Sequence, residues 1–535
     1  MSRATDELHA VAREATEAEL VAVGRLLRGS GRTGLRPRVV LAYPGVGVGE
    51  RISSLAGCTS QLAVLNLARE ALERLGVEVL VLSTQDADRP QVGEMRDAHV
   101  QVDEVTAGLL PHVDTDEGRF LTRWSLVLGG VLGGTLFEDI TDSAAHTRAL
   151  IEVVAAKRLA AWAAVAGRAA PEHGAEVVSY PCGADSDGIV SFVADGTLVV
   201  KTTSTAVARV EVRALSRFAA VTAPGEPSLV PAVHGVLEEG ERSSIVMEHL
   251  PSGTIEDDVF ADERRQRVDP GVRAVLRPFV EGLGRAAGRT AVAGGPAATD
   301  YLLRRRFTVL RHHPDFLACF DALGVQGSPA RVLGAAVRLP GGRVIPGWDE
   351  AVGRLDGVAH RLAPAEGALM HGDVHLRNML RRGDGSPVLI DPRQAWDETF
   401  ELVDGVGDPA FDLGTLLHSL LPMSAVLRAV DAGRHEDLLE RGPTLSDGIV
   451  DVTGLALDLR VEGSLADLEA DLVAALADPR EGVGRARLAV AAASALAGWL
   501  KYPDALRSAE AWWAVYVATV WYLDRGCGLA GGEDA

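Results

Sequence analysis

The sequence predicts a multidomain chain, α/β in its first third and α+β thereafter, with a small β-rich lobe followed by a large helical one. Three observations carry this. From Arg38 the chain alternates apolar strand, glycine-rich loop, helix and strand. Between Val177 and His249 short apolar runs are separated by turn residues. After Pro251 the pattern is mostly helical to the C-terminus. A length of 535 residues leaves room for about three domains.

Taken in order, residues 1–28 carry Leu8, Val11, Leu20, Val23, Leu26 and Leu27 at helical spacing, and GSGRTGLRPR then reads as a linker, so 1–35 is an N-terminal helix and linker. RVVLAY from Arg38 is a short buried strand, Pro44 to Gly57 a glycine-rich loop, Thr59–Leu75 a helix and VEVLVLS a second strand. WSLVLGG and GTLFEDI follow as strands joined by a glycine-rich turn, and a long alanine-rich helix from about Ser143 to Gly167 closes a first domain over 36–165. APEHGAEVV marks a boundary. Short strands with turns at Gly183, Gly188, Asp195-Gly196 and Glu239-Gly240 make a small lobe over 170–252, and 253–535 is a helical lobe interrupted by loop and strand signals around 366–395.

Composition excludes several classes. Hydrophobic residues at 47% and charged ones at 24% are ordinary globular proportions. With 53 basic against 74 acidic residues the net charge is −21, which argues against a nucleic-acid or anionic-membrane partner. Cys58, Cys182, Cys319 and Cys527 lie far apart with no CxxC pair, which excludes a disulfide framework and a cysteine zinc cluster and suits a reducing cytoplasm. The uncharged apolar stretches are shorter than the roughly 18 residues a spanning helix needs, and the N-terminus lacks an apolar h-region. A soluble, cytoplasmic protein is the expectation.

The most informative run is LMHGDVHLRNMLRRGDGSPVLIDPR, Leu369 to Arg393. Asp373 is followed five residues later by Asn378, and Asp391 ends the apolar strand PVLI. Phosphoryl transfer to a hydroxyl needs a carboxylate to orient the nucleophile and take its proton, and oxygen ligands for the Mg²⁺ that bridges the phosphates. An Asp and an Asn on one loop serve both roles, and a second carboxylate after a short hairpin completes the metal site. The same Asp-to-Asn spacing occurs in the protein-kinase catalytic loop.

His371-Gly372-Asp373, Asn378 and Ile390-Asp391, with the later run Gly407-Asp408-Pro409-Ala410-Phe411-Asp412-Leu413, resemble the signature of the aminoglycoside phosphotransferase and choline kinase superfamily over about residues 175–525. The resemblance implies a two-lobed, protein-kinase-like fold and an ATP- and Mg-dependent phosphotransferase acting on an alcohol. Asp373 is then the catalytic base, and Asn378 and Asp391 the metal ligands. Lys201, at the end of an apolar strand, is where the family places a lysine against the ATP phosphates, and Glu211 suits an ion pair that orients it. The loop CGADSDG, with Gly183 and Gly188, lies where a phosphate cover belongs, though it departs from GxGxxG. IVMEH resembles the strand and hinge that seat adenine through the backbone of Glu248 and Leu250. In this family the helices after 253 and the tryptophans Trp499, Trp512, Trp513 and Trp521 would shape the acceptor pocket. The alternative reading of those tryptophans is core. Asp397, Glu398, Glu401 and Asp404 either attract a cationic acceptor or form a solvated loop.

Cys58 begins the Thr59–Leu75 helix, and a helix N-terminus favours the thiolate. RVVLAYP, GCTSQLAVLNLARE, VEVLVLSTQD and GRFLTRWSLVL resemble a peroxiredoxin of the thioredoxin fold over about 36–160. That implies Cys58 as the peroxidatic residue, Arg123 as the arginine that stabilises its thiolate, and, since no second cysteine lies in the domain, an external thiol reductant or a cysteine of the kinase lobe. Leu55 stands where the family carries Thr or Ser. Four readings follow: a kinase of a sugar, amino sugar, amino alcohol or biosynthetic intermediate, its appended domain in a redox or docking role; a kinase of Ser or Thr on a peptide; a thiol peroxidase or redox sensor controlling the kinase lobe; and a non-catalytic binding module, which the retention of Asp373, Asn378 and Asp391 argues against.

Overall fold

The structure, a computed structural model, describes residues 10–30, 37–45, 48, 69, 71–73, 75–85, 98–168, 177–181, 189–193, 198–250, 252–260, 271–293, 296–478, 480 and 482–532. The chain is mixed α/β and divides into two compact units: Met1–Arg209 with Val233–His249, and Val210–Ala232 with Leu250–Ala535. The sequence break near residue 170 is a change of chain pattern. The compact division instead joins the strands of 177–249 to the preceding α/β half.

Among the described residues of the first unit, eight strands precede the long helix: β1 (Val11–Glu14), β2 (Arg38–Ala42), β3 (Glu78–Ser83), β4 (His99–Gln101), β5 (His112–Thr115), β6 (Gly118–Leu121), β7 (Trp124–Leu128) and β8 (Gly134–Glu138). Six form one sheet in the order β1-β8-β7-β2-β3-β4. β2, β3 and β4 run parallel, whereas the β2–β7, β7–β8 and β8–β1 pairings are antiparallel. The unbroken apolar run of β2 follows from burial on both faces: Val39 and Leu41 enter one core cluster, Val40 and Ala42 the other.

The N-terminal helix expected over 1–28 is corrected. Within the described residues Val11–Glu14 is an edge strand on β8, and the helix runs Glu17–Gly29. Thr16 breaks the two apart. Its hydroxyl accepts from the Glu19 N–H at 3.3 Å while the Glu19 carboxylate accepts from the Thr16 N–H at 2.7 Å, a capping box. Arg13, paired with both Glu19 and Glu138, ties the strand down.

The Ser143–Val165 helix carries apolar residues around most of its circumference, as a helix covered on more than one side requires. It lies against a second sheet, β9 (Val177–Pro181), β10 (Ile189–Val193), β11 (Val199–Ser204), β12 (Val233–Glu239) and β13 (Arg242–Met247), in the order β12-β13-β11-β10-β9. All its pairings are antiparallel, and β11 is the central strand.

The second unit is built on the helices Val272–Thr290, Trp348–Leu362, Pro409–His418, Val483–Trp499 and Ala509–Gly531. Small residues let them approach closely: a Cβ on Gly414 would lie 2.4 Å from Ala491 Cβ, and one on Gly526 would lie 2.6 Å from Val490 Cγ2. Pro409–Asp431 is a helical stretch long and apolar enough to cross a membrane, but 94% of its most apolar window is buried in the protein, which makes it a core element. Short strands break up the expected helical lobe at more places than 366–395. Ala336–Arg338 pairs in parallel with Ile449–Asp451, for example, in a four-stranded sheet.

Candidate active site

The strand Glu366–Leu369 delivers the chain into Met370-His371-Gly372-Asp373. Gly372 has φ +84°, and a Cβ there would lie 1.9 Å from the Arg393 carbonyl oxygen, so the turn requires glycine. Two bonds lay this turn alongside the segment after Asp391: Arg393 N–H donates to the His371 carbonyl at 2.8 Å, and Gln394 Nε2 donates to the Met370 carbonyl at 3.1 Å.

From below, the turn is gripped by Asp412, 4% exposed, near the start of the Pro409–His418 helix. His371 N–H donates to its Oδ2 and Gly372 N–H to its Oδ1, both at 2.7 Å. Asp408 caps the same helix by accepting from Ala410 N–H at 2.9 Å and pairs with the buried Arg487.

After the turn, Val374 and Leu376 are fully buried, which leaves Asp373 and Asn378 to share the other side of the loop. Leu376 N–H donates to Ser419 Oγ at 3.3 Å, and Arg377 pairs with Glu256 at 2.9 Å and with Asp431 at 2.9 Å. Asn378 Nδ2 donates to Asp373 Oδ2 at 3.1 Å and to the Asp373 carbonyl at 3.2 Å, and His375 Nε2 lies 3.6 Å from Asp373 Oδ2. Met379–Arg381 and Pro387–Leu389 form the hairpin that follows. Ile390 N–H donates to the Asn378 carbonyl at 2.9 Å, which sets Asp391, half-buried at φ +56°, beside Asn378. The three residues expected to carry the chemistry are thus brought together.

Burial strongly shapes the charges. The His371 ring, fully buried and edge-on to Phe218 at 6.0 Å, is pushed down to about 4 and is neutral at physiological pH. His418 is pushed down by burial to about 3, its Nδ1 bonded to the Thr415 carbonyl. Burial alone would raise the Asp373 carboxyl, but His375 and Arg393 outweigh it and hold it below the usual carboxylate range. Burial drives Asp412 up to about 7 against the pull of its two N–H donors. Between the ordinary carboxyl value and about 7 the folded state therefore holds a proton that the unfolded chain has lost, so this group lowers stability as pH rises through that window, by about 1.4 kcal/mol per pH unit. Chemical denaturation of wild type and Asp412→Asn from pH 5 to pH 8 is expected to show wild-type stability falling relative to the variant, and parallel curves would exclude this titration.

Asn378 and Asp391 bring oxygen donors of the kind that Mg²⁺ takes. Asn378 spends its Nδ2 on Asp373, and its Oδ1 accepts no hydrogen bond from another described residue. With the Asp391 carboxylate this makes a sparse set of hard oxygen donors. Among the described residues no group of three or more His, Cys, Asp and Glu side chains could hold a metal. A sparse oxygen set fits Mg²⁺, which keeps waters and takes phosphate oxygens, and does not suit a metal that needs a full protein cage.

Of the other expected residues, Lys201 is buried in the central strand β11 of the first unit, opposite Ile245 in register, and Glu211 is buried on the Thr205–Val221 helix, in the part assigned to the second unit. Glu248 is half-buried just past β13, and Leu250 is buried. Arg123 is half-buried between β6 and β7, whereas Cys58, Leu55, Gly183 and Gly188 lie outside the described residues.

One expectation about the acceptor changes. Asp397 is not available to a cation, because its side chain is 0% exposed, 2.7 Å from Arg306 Nε and 3.1 Å from Lys501 Nζ, and it accepts from the Tyr301 hydroxyl at 3.0 Å. Glu398, Glu401 and Asp404 are exposed. Trp512 and Trp513 belong to an aromatic core with Phe316, Phe320 and Tyr516, whereas Trp499 stands edge-on to His375 at 6.4 Å, beside the loop. The sequence pattern alone assigns no role to Asp412, Arg306, Lys501 or Ser419. Only Asp412 had a signal, its place in the GDPAFDL run.

No protein-family model matches the chain, and no curated protein matches it. Among solved structures it is similar to a protein of Haemophilus somnus assigned as a fructosamine-3-kinase (11% identity, 69% of this chain and 96% of that one, TM-score 0.35). It is similar also to an aminoglycoside phosphotransferase of Streptomyces rimosus (14%, 60% and 92%, TM-score 0.31) and to an ethanolamine kinase of Plasmodium vivax (8%, 66% and 83%, TM-score 0.34). All three superpositions score below 0.5, and the functional reading stands on the geometry around Asp373.

Proposed function

We propose that the protein is an ATP- and Mg-dependent phosphotransferase with the protein-kinase-like fold of the aminoglycoside phosphotransferase and choline kinase family, acting on a hydroxyl of a small molecule. The observation that carries this reading is the Asp373–Asn378 hydrogen bond set beside Asp391 on one braced loop. Asp373, ionised and held by Asn378 and His375, orients the acceptor hydroxyl and takes its proton. Asn378 and Asp391 would hold Mg²⁺, which when bound offsets the charge of the phosphates. Asp412 fixes the turn that carries Asp373. Lys201 contacts the ATP phosphates and Glu211 orients it, while the backbone of Glu248 and Leu250 seats adenine.

For the N-terminal half we propose a thioredoxin-like domain. The support is the sheet order β8-β7-β2-β3, in which a parallel β2–β3 pair is followed by the antiparallel β7–β8 hairpin and then the Ser143–Val165 helix. Its structural role rests on the core it shares with the five-stranded sheet.

Titration of nucleotide with and without Mg²⁺ tests the metal assignment. Asp391→Ala is expected to weaken Mg-nucleotide binding about ten-fold or more, a loss of at least about 1.4 kcal/mol, while leaving metal-free nucleotide binding near the wild-type value. Unchanged Mg-dependence in Asp391→Ala would remove Asp391 from the metal site.

A further inference from the structure

The six-stranded and five-stranded sheets of the first unit are not beads on a string. Val39, Leu41 and Val81 of the six-stranded sheet and Leu198, Val200 and Val246 of the five-stranded region belong to one buried cluster, with Leu150, Val154 and Trp162 of the Ser143–Val165 helix. Glycines bring the surfaces close. A Cβ on Gly235 of β12 would lie 2.6 Å from Val165 Cγ1, and one on Gly76, just before β3, would lie 3.0 Å from Thr202 Cγ2 of β11.

In the middle of this junction sits Arg158, 0% exposed. Its Nε donates to the Leu75 carbonyl at 3.0 Å and its Nη2 to Ser244 Oγ at 3.1 Å, while Nη1 pairs with Glu239, whose side chain is 4% exposed. The guanidinium also stands 5.1 Å over the Trp162 ring. Ser244 Oγ shares a 2.9 Å hydrogen bond with Thr202 Oγ1, next in sequence to Lys201. A guanidinium buried this fully is tolerable only when its planar fork is matched by fixed acceptors, so it specifies one placement of helix against strands.

We infer that Arg158 is a positioning residue for the nucleotide site, through which the α/β half braces the strand that carries Lys201. The inference rests on the phosphotransferase reading only in assigning Lys201 to the ATP phosphates. The brace runs from Arg158 through Ser244 to Thr202, and it makes the N-terminal half a working part of the small lobe.

The test uses the full chain with the double variant Arg158→Met/Glu239→Leu, which removes the charges without leaving either one buried alone. Two measurements are made: amide hydrogen exchange of Val199–Ser204 with Trp124–Leu128 as control, and steady-state kinetics in ATP. The expected result is exchange about ten-fold faster over Val199–Ser204 with the control unchanged, and a KM for ATP raised about ten-fold with kcat changed less than about two-fold. A simple loss of folded protein would lower kcat and speed exchange in both strands. Unchanged exchange overturns the inference, and so does faster exchange with an unchanged KM for ATP. If the wild type uses no ATP, the phosphotransferase reading falls separately, and the exchange contrast alone decides whether Arg158 braces the strand.

Discussion

Asp373→Ala is expected to lower kcat for phosphate transfer by about 10²- to 10⁴-fold, with nucleotide binding and folding close to wild type. The side chain is 30% exposed and its described contacts are local, to Asn378 and His375, so removing it leaves no distant group stranded. The loop stays in place because its anchors lie elsewhere: Asp412 on the His371 and Gly372 amides, Ser419 on Leu376, and Glu256 and Asp431 on Arg377. Single-turnover kinetics at saturating ATP, with a thermal melt of the same sample, separate the two effects. Turnover within a few-fold of wild type would show that Asp373 is not the base.

Asp397→Ala is expected to be the most destabilising single substitution in the second unit's buried polar network. It leaves the Arg306 guanidinium, with a side chain 4% exposed, and the Lys501 ammonium, 7% exposed, without their shared carboxylate. Stranding buried charge in this way costs about 3–5 kcal/mol, which for a unit of this size lowers Tm by about 10 °C. Asp397→Asn keeps an acceptor for the Tyr301 hydroxyl and should lose less. Thermal denaturation of the two variants checks the order, and a melt of Asp397→Ala within about 1 °C of wild type would mean that water solvates the cations.

Several elements of the first unit could be read from the chain because their signals are local, though the short strands β4, β5 and β6 could not. β2, β3, β7 and β8 are apolar runs bounded by glycine or charge, and the Ser143–Val165 helix is a long alanine-rich segment capped by Asp142. β1 could not be read. Val11–Glu14 has too little pattern of its own and becomes a strand only because β8 offers a free edge 121 to 127 residues later, where Glu14 meets Thr135 and Val11 meets Glu138.

The loop of Asp373 and Asn378 was legible because Asp373, Asn378 and Asp391 lie within 19 residues, close enough for one turn and one hairpin to bring them together. What holds the loop was not. Asp412 acts 40 and 41 residues away from the amides it binds, and Asp397 meets Arg306 across 91 residues. The same blindness made Asp397 look like a solvent-facing carboxylate. A charged residue announces its type in sequence, but its burial depends on elements that arrive from elsewhere in the chain.

The most direct test of the phosphotransferase reading incubates purified protein with ATP and Mg²⁺ and pooled sugars, amino sugars, amino alcohols and short Ser- or Thr-containing peptides, and reads the products by mass spectrometry. The expected result is an acceptor gaining one phosphate with wild type, requiring Mg²⁺ and lost with Asp373→Ala. No phosphorylated product from any pool, together with no Mg-dependent nucleotide binding, would contradict the account.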